Sequence, residues 1–217
     1  MHITPTMRFT VMSFVAVLTS VGTACVARAV PLPLGRALSP VRDEGSPFTG
    51  PTSTRTTLVS TLVTDTFNGT VTTVVIPDDP GNALGGLTFV YKVANLDTDA
   101  DPARVTRLGL LGSGLGRMDV SVLSRDDVMP SEVDRNTEGH VGFSFFMPAI
   151  GRNDSSSWLI LQTDAPAFRT GVASLFSDDT LLGRVTTLVT VPEPAMAATA
   201  VVAPLLLRRA RTSRSLR

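Results

Sequence analysis

Asp97, Asp99 and Asp101 alternate along Asp97-Thr98-Asp99-Ala100-Asp101. That spacing on a loop can turn carboxylates toward a hard cation such as Ca²⁺, which takes many oxygen ligands. The rest of a calcium loop is missing. Pro102 stands where such a loop has its Gly, and Leu108 where it has a bidentate Glu. The run reads first as an Asx-rich turn after a strand, with the three aspartates kept as metal candidates. Asp126-Asp127 and Asp178-Asp179 read as ordinary turn acids. A pair of carboxylates for glycoside hydrolysis needs only to be close in space, and no pair is singled out by its spacing.

Other chemistry has few residues to work with. His140 is one of two histidines and follows Gly139 at a strand start, where a surface position is the expectation. A serine triad would need it beside an exposed Ser and an orienting acid. Gly112-Ser113-Gly114-Leu115-Gly116 has the wrong spacing for a nucleophile elbow. It also lacks the last Gly of a dinucleotide-binding turn, since Arg117 occupies that place and no helical pattern follows. It is expected as a glycine-rich turn between strands. Tyr91 and Trp158 are the single Tyr and Trp, and both fall inside strand patterns, so both are expected to pack in a core. No catalytic residue and no cofactor are expected.

The elements that would position these residues are short and β-prone. Leu87, Phe89, Tyr91 and Val93 alternate along one face of a run. Similar runs cover 57–63, 70–76, 105–111, 118–123, 141–147, 158–162, 172–176 and 185–191, with Gly, Pro, Asn and Asp between them. No sustained helical period occurs between the two ends. The fold class that follows is all-β, an antiparallel β-sandwich, flanked by an N-terminal signal peptide and a short apolar C-terminal helix. A body of 56–191 is long enough to bury a core without disulfides. The stretch 30–55, rich in Pro, Gly, Ser and charge, reads as a linker or poorly ordered arm.

Composition agrees with a folded body. The chain has 217 residues, 43% hydrophobic and 18% charged, too apolar for a wholly disordered protein. Nineteen basic and 19 acidic residues cancel, so net charge gives no reason to expect nucleic acid. A single Cys excludes an internal disulfide. The charge is uneven, however. Arg8 and Arg28 precede Val30 with no acid, and Arg208, Arg209, Arg211, Arg214 and Arg217 follow Val191 against Glu193 alone. An acidic body therefore sits between two basic, apolar ends.

The N-terminal end reads as a secretory signal peptide over 1–29. Arg8 supplies the charge, 9–21 the apolar run, and Ala27-Arg28-Ala29 the small residues of a cleavage site, with Ala27 and Ala29 as the cleavage residues. Cys25 then falls in the discarded leader.

The C-terminal end, 192–217, reads Pro192-Glu193-Pro194, then an apolar run over 195–207 broken by Thr199, then Arg208-Arg209-Ala210-Arg211. The prolines fix φ and hold the motif extended. The apolar run covers roughly 20 Å at helical rise, against a hydrocarbon core of about 30 Å. The arginines oppose translocation and act as a membrane stop signal.

This order of parts resembles the PEP-CTERM sorting signal of exported bacterial proteins. The resemblance rests on Pro192, Glu193 and Pro194 with Arg208 and Arg209 closing the tail. It implies a signal peptidase and an exosortase-type processing enzyme as partners, transient inner-membrane contact, and delivery to the envelope or extracellular matrix, often beside exopolysaccharide. The body also resembles a module that often precedes this tail. The residues that carry that likeness are 87–91, Val133-Asp134-Arg135, 141–145 and 159–164. The expectation is an exported, non-enzymatic protein of the cell envelope or matrix with a structural or adhesive role. The alternatives are a secreted polysaccharide-acting hydrolase and a calcium-dependent binding module.

Overall fold

A computed structural model describes residues 29–42, 54–97, 103–123 and 127–191. They form twelve strands in two antiparallel sheets of six strands each, the arrangement of a β-sandwich. The strands are β1 (Val30–Pro31), β2 (Arg36–Leu38), β3 (Thr56–Val63), β4 (Asn68–Ile76), β5 (Thr88–Asn95) and β6 (Arg107–Leu111). They continue as β7 (Met118–Leu123), β8 (Glu132–Arg135), β9 (Val141–Ser144), β10 (Trp158–Thr163), β11 (Phe168–Ser177) and β12 (Thr180–Thr190). The first sheet has the order β1-β7-β10-β5-β4-β3, the second β12-β11-β6-β9-β8-β2. All of the expected signal peptide over 1–29 except Ala29, and the whole tail from Pro192 onward, lie outside the described residues.

Alternation places the core. Phe89, Tyr91 and Val93 of β5, Leu159 and Leu161 of β10, and Val120 and Val122 of β7 point from the first sheet to the second. Leu108, Leu110, Val133, Phe143, Ala173 and Leu175 answer from the second, all fully buried. The outer face of the first sheet is apolar too. Val74, Ile76, Val90, Leu123 and Ile160 form a second buried cluster there, with Trp158 packed at its margin. Tyr91 is thus in the core as its alternation suggested, whereas Trp158 stands on the outer side. The Lys92 ammonium lies 5.4 Å from the Trp158 ring centroid, a cation–π contact.

Both long edges of the sandwich are closed. On one side β12 is tied to the first sheet by three side chains. Ser60 donates to the Thr186 carbonyl at 2.7 Å, the Thr73 and Thr187 hydroxyls meet at 2.7 Å, and the buried Tyr91 hydroxyl donates to the Leu188 carbonyl at 2.8 Å. Burial pushes the Tyr91 phenol far up, so it stays a donor at any working pH. On the other side the chain passes directly from β1 in one sheet to β2 in the other, through a turn with Gly35 at φ 69°.

That second closure differs from the expected arm over 30–55. Val30 and Pro31 pair with Val120 and Asp119, Leu32 is buried, and residues 36–38 pair with β8. Two strands this short leave no period to read. Pro31 is tolerated because β1 is an edge strand, where a missing N–H costs no ladder bond. Other bounds shift less. The 141–147 run ends as a strand at Ser144, leaving Phe146 and Met147 exposed, and the 172–176 and 185–191 runs are parts of one long hairpin turning at Asp178 and Asp179.

Candidate functional site

The register of the second sheet aligns side chains from distant parts of the sequence. Leu108 and Leu110 face the core, so Arg107 and Gly109 face outward, and the same parity turns out Gly142, Ser144, Glu132, Asp134, Ser174 and Arg184. Reading across the strands gives one row: Arg184 on β12, Ser174 on β11, Gly109 on β6, Gly142 on β9 and Asp134 on β8. The middle three residues carry a hydroxymethyl group or nothing. The neighbouring row, Phe176, Arg107 and Ser144, stands taller. Beyond the row on the other side stand Leu111 and the Asn136–His140 turn. The result is a trough across the outer face, with a cavity of about 290 Å³.

Within the trough Arg107 is fixed. Its Nη1 donates to the Ser144 hydroxyl at 2.7 Å, and its Nη2 meets both Asp134 oxygens, at 2.9 and 2.7 Å. A Cβ on Gly142 would collide with this guanidinium, so the group lies directly on the bare strand there. Gly109 is different. A Cβ there would meet nothing closer than the Phe176 ring at 3.7 Å. Arg184 is exposed and makes no ion pair among the described residues. Ser174 is 3% exposed, and its hydroxyl has no hydrogen-bond partner among the described residues.

A second depression, of about 280 Å³, opens at one end of the sandwich. It is lined by the 113–118 loop, by Thr163–Ala165 and by Thr190–Val191. Arg135 shapes it from behind. This buried guanidinium donates to the carbonyls of Leu32 at 3.2 Å, Gly114 at 2.8 Å and Gly116 at 2.7 Å. Burial pushes its pKa down and the nearby Asp164 carboxylate pushes it back up. Asp164 also accepts from the Arg117 amide at 3.0 Å, and Thr190 Oγ1 donates to the Ser113 carbonyl. The glycine-rich run is therefore a turn between β6 and β7, with Gly112 and Gly114 at positive φ. It is pinned from three directions.

Only some of the residues expected to carry chemistry are among the described residues. Asp97 is buried at the end of β5, its amide taking the Asn95 side-chain oxygen at 3.1 Å, while Asp99 and Asp101 lie outside the described residues. Among the described residues no group of three His, Cys, Asp or Glu side chains could hold a metal. His140 is half-exposed at the trough rim, its Nδ1 3.8 Å from Glu138. Ala29 is described, immediately before β1, whereas Ala27, Pro192, Glu193, Pro194, Arg208, Arg209 and Arg211 lie outside. No described helix is long and apolar enough to cross a membrane.

Sequence reasoning missed the trough and Arg135. Gly109 and Gly142 carry no motif, and only the register sets them side by side. Arg135 and Asp134 did fall in the run quoted for the body's resemblance, which was the one available signal. No family model matches the chain, and no curated protein and no solved structure matches it.

Proposed function

We propose that this is an exported protein of the cell envelope or extracellular matrix, sorted by its C-terminal Pro-Glu-Pro tail, with a structural or adhesive rather than an enzymatic role. The observation that carries the reading is where the last strand among the described residues ends. β12 stays paired with β11 up to Thr190, and the Val191 amide donates to the Ala167 carbonyl at 3.0 Å. Pro192 is the next residue, so the motif follows directly on the last strand among the described residues. Its prolines lack the amides that a ladder uses, which suits an extended segment offered to a processing enzyme. The other end supports the same reading: Val30, the first residue after Ala29, is already paired with Val120.

The non-enzymatic part rests on the two depressions. Among the described residues each is lined by a single carboxylate, Asp134 in one and Asp164 in the other, and both are engaged by structural bonds. Acid–base cleavage of a glycosidic bond uses two.

The test is a Glu193→Ala variant in a host that has the processing enzyme. An uncleaved, membrane-retained precursor is expected. Processing and release at the wild-type rate would overturn the sorting assignment.

A further inference from the structure

We propose that the free edge of β3 pairs with the same edge of a second copy of this chain, antiparallel and centred on Ser60, so that the first sheets of two molecules run on as one. This goes beyond the sorting reading and stands without it.

β3 is the last strand of the first sheet, and among the described residues no strand pairs with its outer side. Hydrogen-bond parity tells which of its groups are left over. The Leu96 amide donates to the Asn68 carbonyl at 2.8 Å, so the even residues of β4 bond toward β5 and the odd ones toward β3. Opposite Gly69, Val71, Thr73 and Val75 stand Leu62, Ser60, Leu58 and Thr56, which are spent on β4. Thr57, Val59, Thr61 and Val63 therefore turn their amides and carbonyls to the free edge. The Thr64 amide on the Phe67 carbonyl keeps the same parity into the turn.

The other edges are guarded. β1 and β2 have two and three residues, with Pro31 in one and the exposed Arg36 in the other. β12 carries the exposed Arg184 and gives its Thr186 and Leu188 carbonyls to Ser60 and Tyr91. β3 has none of these devices. Its eight residues hold no charge, no Pro and no Gly, and they pair with β4 without a shift of register. A long, uncharged, unbulged edge is the kind that takes another strand.

The register selects a second copy as that strand. A two-fold axis at Ser60 sets Thr57 opposite Val63 and Val59 opposite Thr61 of the second copy. All four are free-edge residues, so every outward amide and carbonyl of both strands finds a partner. Moving one strand by a single residue puts these groups opposite residues that are turned away. An axis at Val59 or Thr61 sets one of the four opposite a position beyond the strand. The faces agree as well. Leu58 meets Leu62 on the inner side, where both already pack half-buried on the core. On the outer side Val59 and Val63, 58% and 69% exposed, meet Thr61 and Thr57. No charge stands opposite another. Each copy has one such edge, so the pairing closes at two. One strand a side makes less than the standard interface of about 1,600 Å², so the dimer exchanges with monomer.

The experiment uses the full-length chain with Cys25→Ser, in a mild detergent that holds the apolar ends apart. Sedimentation over a concentration series is expected to show a monomer–dimer equilibrium and no larger species. Amide exchange read by NMR is expected to protect Thr57, Val59, Thr61 and Val63 only as the dimer forms, while β4 protects Leu58, Ser60 and Leu62 throughout. Val59→Lys puts a charge on the edge, and Thr61→Pro removes an outward amide that β4 does not use. Each should raise the dimer dissociation constant about tenfold or more, the scale of one or two lost main-chain bonds. Ser60 is the one strand residue that faces its own copy, in a non-bonded pair with Cα atoms about 4.5 Å apart. Ser60→Cys should therefore cross-link on oxidation several times faster than Thr57→Cys. Melting curves check that the variants fold, and Val59→Lys, an exposed change, keeps the test decisive if Thr61→Pro does not. A monomer at every concentration, a dimer untouched by Val59→Lys, larger assemblies, or equal cross-linking at 57 and 60 would each overturn the proposal. So would protection of the four amides in the monomer, which would mean that another segment of the same chain holds the edge. None of these results bears on Glu193→Ala, so the two readings fail separately.

Discussion

Arg135 is the residue on which most of one end depends. Its three carbonyl partners come from β1's exit and from two points of the 113–118 loop. Arg135→Ala removes a charged donor that those carbonyls share and leaves the buried Leu32 and Gly114 carbonyls without it. The loss should be about 1.5–3 kcal/mol or more, the range for hydrogen bonds to a charged group, read as a fall in the urea midpoint. A loss under about 1 kcal/mol would mean that the loop stands without it. Asp119 gives a pH-dependent counterpart. Burial pushes its carboxyl up, partly offset by Arg117. The folded chain therefore holds this proton more tightly than the unfolded one. The cost of the charged form is absent below the unfolded value of about 3.9 and fully present once pH exceeds the raised folded value. Asp119→Asn should raise the thermal midpoint at pH 7 and change it little at pH 3, and the reverse order would contradict the assignment. Neither role was legible in the sequence. An Arg inside Glu132-Val133-Asp134-Arg135 reads like any surface arginine until the register shows it on the core side.

At the scale of elements, what could be read was what repeats. β5 shows a clean alternation, and its Phe89, Tyr91 and Val93 all reach the core. The long hairpin was seen only in parts, because the start of β11 is exposed and has no apolar face to betray it. β1 and β2 were missed because strands of two and three residues hold no period. The outer cluster around Val90 and Ile160 was missed for another reason. Alternation assumes one wet face, and here both faces of the strand are buried. The missed pair has a structural role, and deleting 30–38 tests it. That deletion uncovers the edge of β7 and leaves Arg135 without the Leu32 carbonyl. The chain should fold less stably, with a lower urea midpoint, while residues 56–191 alone matching full stability would show the strap to be dispensable.

For the whole molecule, the candidate site lies on one sheet and the body's two ends lie near one another. The Leu32 amide donates to the Met118 carbonyl at 2.8 Å, and Met118 and Val191 line the same depression. The trough depends on the order of the second sheet, which brings together residues as far apart as Asp134 and Arg184. No spacing rule in the sequence encodes that order. The all-β class could be read from composition and short runs, while the functional expectation rests on the two ends alone.

The exit of β12 also fixes how the body bears load. A pull applied at Val191 runs along β12, parallel to the strand and across its ladder to β11. Ten residue pairs hold that ladder, from Phe168 opposite Thr190 to Ser177 opposite Thr180. Drawn along its length, the strand strains all of these pairs together, whereas a sideways pull would open them one at a time. The Thr190 bond to Ser113 and the ties from Ser60, Thr73 and Tyr91 share the same tension. β12 is built to be tugged from its Val191 end, and the fold should yield there at higher force than when drawn apart through Val30, whose strand has two paired residues to give up.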